Sequence, residues 1–381
     1  MSHNAGQRLL GIDLARSLAI LFAMTSHVLS VCHSADFFSG DSLDLVRPLL
    51  HSATPTFIVL FGSMLAILYC PRFTENPHLI TARLISRAVQ CWLLYALSVA
   101  ILYITDPNYS LQFSVITVAL LGVTPFTDIL KFYTVALLFS PAILFIATRY
   151  GILRLTLGAI GVHVVCAVLR HFEVGVDQSL PREADRLTAF LFGLGDDTLV
   201  GPSVLHGLTF VVFGMALSRG LVSAKNGLLA VLFLGAVIVL ACVALSPGPE
   251  AFTDDAMSLR KSNDPLYFLI GSASACALAC LATLVTKHMP AKGWLALTFF
   301  GRTSLFTFAF GNMLLYMVEI EPRTREQSLF WTFSLTAAIG LLSFFFDRAV
   351  SQKGVVAHTV GTTRRFLDQL CTAGVRLASR E

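Results

Sequence analysis

Ten stretches of this chain are apolar for about the length that crosses a bilayer, and this recurrence limits the fold more than any motif does. They run approximately over 9–31, 48–70, 84–105, 129–148, 151–170, 203–219, 226–246, 265–286, 294–318 and 328–347. A hydrocarbon core about 30 Å thick needs about 20 apolar residues per helix. Helices satisfy every backbone polar group within the segment, as lipid demands. The predicted fold is therefore all-α, a polytopic integral membrane protein with about ten transmembrane helices. The composition agrees, with 55% hydrophobic and 13% charged residues, against about 25% charged in soluble domains. Mean hydropathy is +0.74. The net charge of +4 is modest and its basic residues are dispersed, which argues against nucleic acid as a partner. The cysteines, among them Cys91, Cys166, Cys242, Cys276 and Cys280, fall mainly inside apolar spans. They form neither a secreted disulfide framework nor a paired metal-binding motif and read as small packing residues.

Loop charge orients the spans. Arg72, Arg83 and Arg87, then Arg149 and Arg154, then Arg219 and Lys225, then Lys287 and Lys292 mark one side, together with the tail from Arg348 to Arg380. The opposite loops are acidic or mixed: Asp36 to Asp44, Asp106, Glu173 to Asp197, Glu250 to Asp264, and Glu319 to Glu326. Ten spans with both termini cytoplasmic put every basic set inside. Counting 110–124 as a further span would invert all later loops, so that segment is predicted to be re-entrant or interfacial. Residues 9–31 are too long and too charged for a cleaved signal and read as a retained first helix. The chain divides into a membrane domain, 1–350, and a cytoplasmic basic tail, 351–381. The tail is either solvated or a short amphipathic helix on the inner leaflet. Residues 187–200 have the pattern of a segment lying flat on the outer surface.

The first span carries charges that lipid does not tolerate. Arg16 and His27 are eleven residues apart, roughly three helical turns, so both lie on one face. Asp13, three residues before Arg16, is close to the same stripe. A charge near the bilayer centre costs at least ~2.5–3.5 kcal/mol and therefore faces protein, where it has a role. A neutral His27 can take a proton from a hydroxyl or amine, or carry an acyl group as nucleophile. It can also be a core histidine bonded to a neighbouring helix. Arg16 can grip a phosphate or carboxylate bidentately, or pair with Asp13 and only orient packing.

Other candidates are weaker. Arg83 and Arg87 stand one turn apart at the cytoplasmic start of the third span. They suit an electropositive mouth for a nucleotide-bearing donor, and the positive-inside rule also explains them. His51 lies near the outer face. Pro55 frees a backbone carbonyl, and Gly62-Ser63 permits close helix approach. Asp128, Lys131 and Tyr133 cluster before the fourth span. His163 and His206 read as separate structural histidines, and Glu319, Glu321 and Arg323 as outer surface.

The pattern of Arg16, ten residues, then His27 resembles the hallmark of the acyltransferase-3 family of membrane acyltransferases. Asp13-Leu-Ala-Arg16-Ser-Leu-Ala looks like the D-x-x-R-G-x-A opening shared with the periplasmic-glucan succinyltransferases. It is also similar to the opening of the heparan α-glucosaminide N-acetyltransferases. Pro55-Thr-Phe57 through Gly62, Asp128 through Tyr133 with Pro141, His206-Gly through Gly214, and Gly301-Arg302-Thr-Ser304 resemble later segments of that group. Ser17 stands where Gly is usual, and Phe61 where Ser often precedes the glycine. The resemblance implies acyl transfer from a cytosolic acyl-CoA donor, acetyl-CoA or succinyl-CoA, to an extracytoplasmic glycan at the inner membrane. It implies a catalytic His27 and a donor-binding or structural Arg16, with Arg83 or Arg87 matching a basic residue of the third helix.

The expectation is thus an O-acyltransferase that modifies a cell-envelope polysaccharide, with Asp13, Arg16 and His27 at its centre and Arg83 and Arg87 toward the donor. Its partners are the lipid bilayer and a glycan or glycolipid acceptor, and no metal is predicted. The alternative is a secondary transporter or proton-coupled exporter that uses Asp13, Arg16 and His27 as an intramembrane relay. A non-catalytic partner in envelope assembly on the same scaffold is a third reading.

Overall fold

A computed structural model describes residues 10–38, 41–172, 182–194, 202–222, 256–288, 298–352 and 354–378. Among them there is no strand. The first half of the chain forms α1 (Leu10–Val31), α2 (Ser34–Phe37), α3 (Asp41–His51), α4 (Ala53–Met64), a π-helical turn (Leu65–Tyr69), α5 (Cys70–Glu75), α6 (Pro77–Thr105), α7 (Leu111–Val118) and α8 (Asp128–Arg149). The rest forms α9 (Ile152–His171), α10 (Arg182–Phe192), α11 (Val204–Val222), α12 (Ala256–Lys261), α13 (Pro265–His288), α14 (Phe299–Arg302), α15 (Ser304–Tyr316), α16 (Arg325–Ser351) and α17 (Val355–Ala378).

Seven helical stretches are long and apolar enough to cross a membrane, and Val204–Ser218 and Ser304–Tyr316 are shorter apolar helices. The all-α membrane architecture is therefore as predicted. The predicted span 226–246 and the start of 294–318 lie outside the described residues. The segment 110–124 contains only the eight-residue α7, about 12 Å at 1.5 Å per residue, too short to cross. It is tied back to the bundle by the Trp92 indole, which donates to the Val118 carbonyl at 3.0 Å. Tyr109 donates to the Val123 carbonyl at 2.9 Å; burial pushes its phenol upward, which keeps it a donor.

Local sequence sets the helix ends. Asn76 accepts from the Leu79 amide at 3.1 Å while Pro77 occupies the first helical position of α6, where its missing N–H costs nothing. Thr324 caps α16 through the Gln327 amide, and the Gln327 side chain reaches back to the Arg323 amide at 2.8 Å. The π-turn stands just before Pro71, which cannot donate to the preceding turn and so favours such a bulge. The predicted span 294–318 is interrupted: α14 ends at Arg302 and α15 begins at Ser304.

α1 is the central helix, packed against α4, α13, α14 and α15. Ala15 and Ala19 are fully buried on it, which lets neighbouring backbones come close. α6 packs on α8, and α4 on α11 and α13. α9 and α16 are peripheral and turn apolar residues outward, among them Leu153 and Phe333, 73% and 78% exposed, as a lipid-facing surface requires. α4 and α11 approach closely. A Cβ added at Gly62 would overlap the Val211 carbonyl, and one at Gly214 the Val59 carbonyl. The Ser63 hydroxyl lies there, 2.9 Å from the Gly214 oxygen and 3.1 Å from the Val59 oxygen.

Gly62→Ala is expected to force α4 and α11 apart and to destabilise the protein by about 1–3 kcal/mol. Gly158→Ala on α9 meets nothing within 4 Å and is expected to stay within about 0.5 kcal/mol of the parent. Thermal unfolding of the detergent-solubilised variants compares the two.

Candidate functional site

His27 sits toward the C-terminal end of α1 and is held on three sides. Its Nδ1 is 2.7 Å from Asn312 Oδ1 on α15. Its ring stacks on Phe126 with centroids 4.7 Å apart and meets the edge of Phe308 at 5.8 Å. The Asn312 amide nitrogen donates to the Phe308 carbonyl at 2.8 Å, so its oxygen is the atom turned to the imidazole. The proton therefore sits on Nδ1 and the lone pair on Nε2. Nε2 makes no hydrogen bond to the described residues. Phe126 is itself fixed: its amide donates to the Tyr316 hydroxyl at 3.0 Å, and the two rings stack at 5.7 Å.

Arg16 is partly buried on the same face of α1, about 16 Å from His27 along the axis. It makes no hydrogen bond or ion pair with the described residues, and it lies in electrostatic range of Tyr133 on α8. The Asp13–Arg16 pair considered from spacing is not formed. The three-residue offset turns Asp13 toward α14, where it lies in electrostatic range of Arg302, while Arg16 turns toward α8. Arg302 pairs with Asp347 of α16 through two nitrogens, one at 2.9 Å. Ser17 has a structural task. Its hydroxyl donates to the Asp13 carbonyl at 3.0 Å and accepts the Gly301 amide at 2.7 Å, which joins α1 to the point where the α14–α15 span is interrupted.

Arg83 and Arg87 lie near the start of α6, toward the opposite end of the bundle from His27. Arg83 is exposed. Arg87 donates to Gln90 at 2.9 Å and lies in electrostatic range of Cys91, and of Arg364 and Asp368 on α17. Cys91 and Arg16 are both in electrostatic range of the Tyr133 hydroxyl. The polar groups thus follow one another through the depth of the bundle, from Arg87 past Cys91 and Tyr133 to Arg16, without forming a single cluster. The tail is a regular 24-residue helix, with Phe366 and Leu370 exposed on one side and Arg365 and Arg376 on another. The tail is thus helical, with apolar and basic residues on different sides.

The His27 end carries further polar residues. Asp128 Oδ1 accepts from the Thr124 amide and hydroxyl, each at 3.0 Å, and Tyr133 donates to the Phe57 carbonyl at 2.9 Å. His51 lies in electrostatic range of Arg47 and Arg260. His163 and His206, read as separate from sequence, are neighbours with ring centroids 4.7 Å apart. Together with Asp264 they line a cavity of about 110 Å³. His206 Nδ1 is 2.7 Å from the Ser203 hydroxyl.

Sequence reasoning did not find Asn312, Phe126 or Arg260. Asn312 had a readable signal, an amide within the apolar run Phe308-Ala-Phe-Gly-Asn312-Met. Phe126 and Arg260 had none, because an aromatic in a loop and a cation at the end of a short helix are ordinary until the fold shows what they face. The chain matches no protein-family model and no curated protein.

Ser17→Ala is expected to leave the buried Gly301 amide without its acceptor and to cost about 1–3 kcal/mol, read as a lowered unfolding temperature of the purified protein.

Proposed function

We propose that the protein is a membrane-embedded acyltransferase that moves an acetyl or succinyl group from cytosolic acyl-CoA to a hydroxyl of an extracytoplasmic cell-envelope glycan. The observation that carries this reading is the state of His27: Nδ1 is engaged by Asn312 while Nε2 has no partner among the described residues. A histidine that served packing alone would gain from engaging both nitrogens inside a bilayer. One with its basic nitrogen open is arranged to accept a proton. The resemblance of the Arg16 to His27 segment to membrane acyltransferases supports the same reading, and it supplies the substrate classes.

In this mechanism Nε2 takes the proton of the acceptor hydroxyl as its oxygen attacks the thioester carbonyl. Asn312 keeps the tautomer that makes this possible, and its amide oxygen stabilises the imidazolium that forms. The tetrahedral intermediate collapses with cleavage of the carbon–sulfur bond. The imidazolium returns its proton to the departing thiolate, leaving an ester and free coenzyme A. Arg16, with no carboxylate partner in the described residues, is the cation available to hold the donor along the α1 face. Exposed Arg83 and partly buried Arg87 are placed to meet its nucleotide phosphates at the cytoplasmic end. In the competing transporter reading the same buried charges relay protons and no acyl ester is made.

His27→Ala is expected to remove acyl groups from the envelope glycan with protein abundance unchanged. Asn312→Leu frees the wrong tautomer and is expected to lower acylation by up to about 100-fold. Mass spectrometry of isolated glycans from each strain decides; acyl content that is the same with and without the protein overturns the reading.

A further inference from the structure

Beside the His27 end lies a cleft of about 30 Å³, lined by Thr54, Asp128, Lys131, Phe190, Ser203 and Arg260. It has room for about two water-sized groups. Two cations and one carboxylate line it among the described residues, and Asp128 lies in electrostatic range of Lys131. Lys131 is 2% exposed; its ammonium donates to the Gly122 carbonyl at 2.8 Å and lies 4.4 Å above the Phe190 ring. That bond uses one of its three donors. Asp128, the one carboxylate among the described residues that line the cleft, spends Oδ1 on Thr124. It forms no ion pair with Lys131 or Arg260 among the described residues.

Arg260 strengthens the point. Its Nε is buried and has no acceptor among the described residues, and the same holds for the Tyr267 hydroxyl, which lies in electrostatic range of Arg260. Buried donors are paired in nearly every native structure, and an exception calls for an explanation such as a bound ion. Here several donors and two cations surround one small space, and planar guanidinium together with ammonium is the donor set that holds phosphate or carboxylate. Arg260 also lies in electrostatic range of His27 and His51, so the cleft is within electrostatic reach of the imidazole. It adjoins the His163 and His206 cavity as well, through Ser203 and its bond to His206.

We propose that this cleft is a subsite for a phosphate or carboxylate group, held by Arg260 and Lys131. Resting on the acyl-transfer reading, the acceptor is then an acidic glycan or a lipid-phosphate-linked one rather than a neutral sugar. The same chemistry also fits the headgroup of a bilayer phospholipid, and the two sources separate experimentally.

The test uses the purified full-length protein in phosphatidylcholine nanodiscs with no acyl donor, so its result does not depend on acyl transfer. Thermal unfolding is followed against inorganic phosphate, glucose 6-phosphate and glucose. Saturable stabilisation by the two phosphates but not by glucose is expected. Arg260→Gln is expected to weaken it at least tenfold, Arg260→Lys to restore part of it, and Lys261→Gln, an exposed neighbour, to leave it unchanged. Discs containing phosphatidylglycerol tell the sources apart. If the headgroup is the ligand, these discs stabilise the parent but not Arg260→Gln, and they abolish the response to soluble phosphate. If soluble anions are the ligand, the response persists. No stabilisation by inorganic phosphate, glucose 6-phosphate or phosphatidylglycerol, or equal stabilisation of parent and Arg260→Gln, overturns the subsite. Lost glycan acylation with anion binding intact would bear on the catalytic reading alone.

Discussion

A polar group inside a bilayer can be satisfied only by protein, and most of this structure follows from how α1 meets that demand. Asp13, Arg16, Ser17 and His27 stand on a helix surrounded by α4, α13, α14 and α15. Two of these residues draw a partner from a neighbouring helix. Ser17 takes the Gly301 amide, which gives the interrupted span a fixed point. His27 takes Asn312, which places α15 along the last turns of α1. The small residues of α1 and the glycines of α4 and α11 then allow backbones to approach closely enough for single hydroxyls to bridge them.

One interruption, the break between α14 and α15, packs directly on α1, and there are others elsewhere. The π-turn before Pro71, the separation of α14 from α15, and the short α7 all depart from plain transmembrane helices. Irregular backbone at membrane depth survives only where protein covers it or where it lines a cavity. Here the loop before α8 supplies Phe126, which stacks on His27, and Thr127, whose hydroxyl lies 2.9 Å from Thr124. The irregular pieces therefore carry the groups that shape the imidazole's surroundings, while α9 and α16 present plain apolar faces outward. Arg16, on the same face but well separated along the axis, occupies a different environment near Tyr133.

Much of the fold was legible in the chain, because a bilayer imposes length and apolarity on each span regardless of what the span packs against. The ranges of α1, α6, α8, α13 and α16 follow from that constraint, and the reading of 110–124 as a segment that does not cross follows from loop charge. His27 and Arg16 were legible for the same reason: a charge in an apolar run is visible without any knowledge of neighbours. The pairing of Asp13 with Arg16 was misread because sequence spacing gives a direction around one helix and says nothing of which helix stands there. α14 and α8 lie on different sides and draw the two side chains apart.

Sequence alone thus determined that the chain is helical and spans a membrane, which faces of its first helix are polar, and which ionisable groups lipid would exclude. These depend on transfer free energies and helical periodicity, both local properties. Tertiary structure decided which nitrogen of His27 is engaged, that His163 and His206 are neighbours, and that Arg260 and Lys131 share one cleft. Those facts depend on residues far apart in the chain coming together, His27 with Asn312 through a hydrogen bond and Lys131 with Arg260 around one cleft, and no local pattern encodes which distant side chain will stand there.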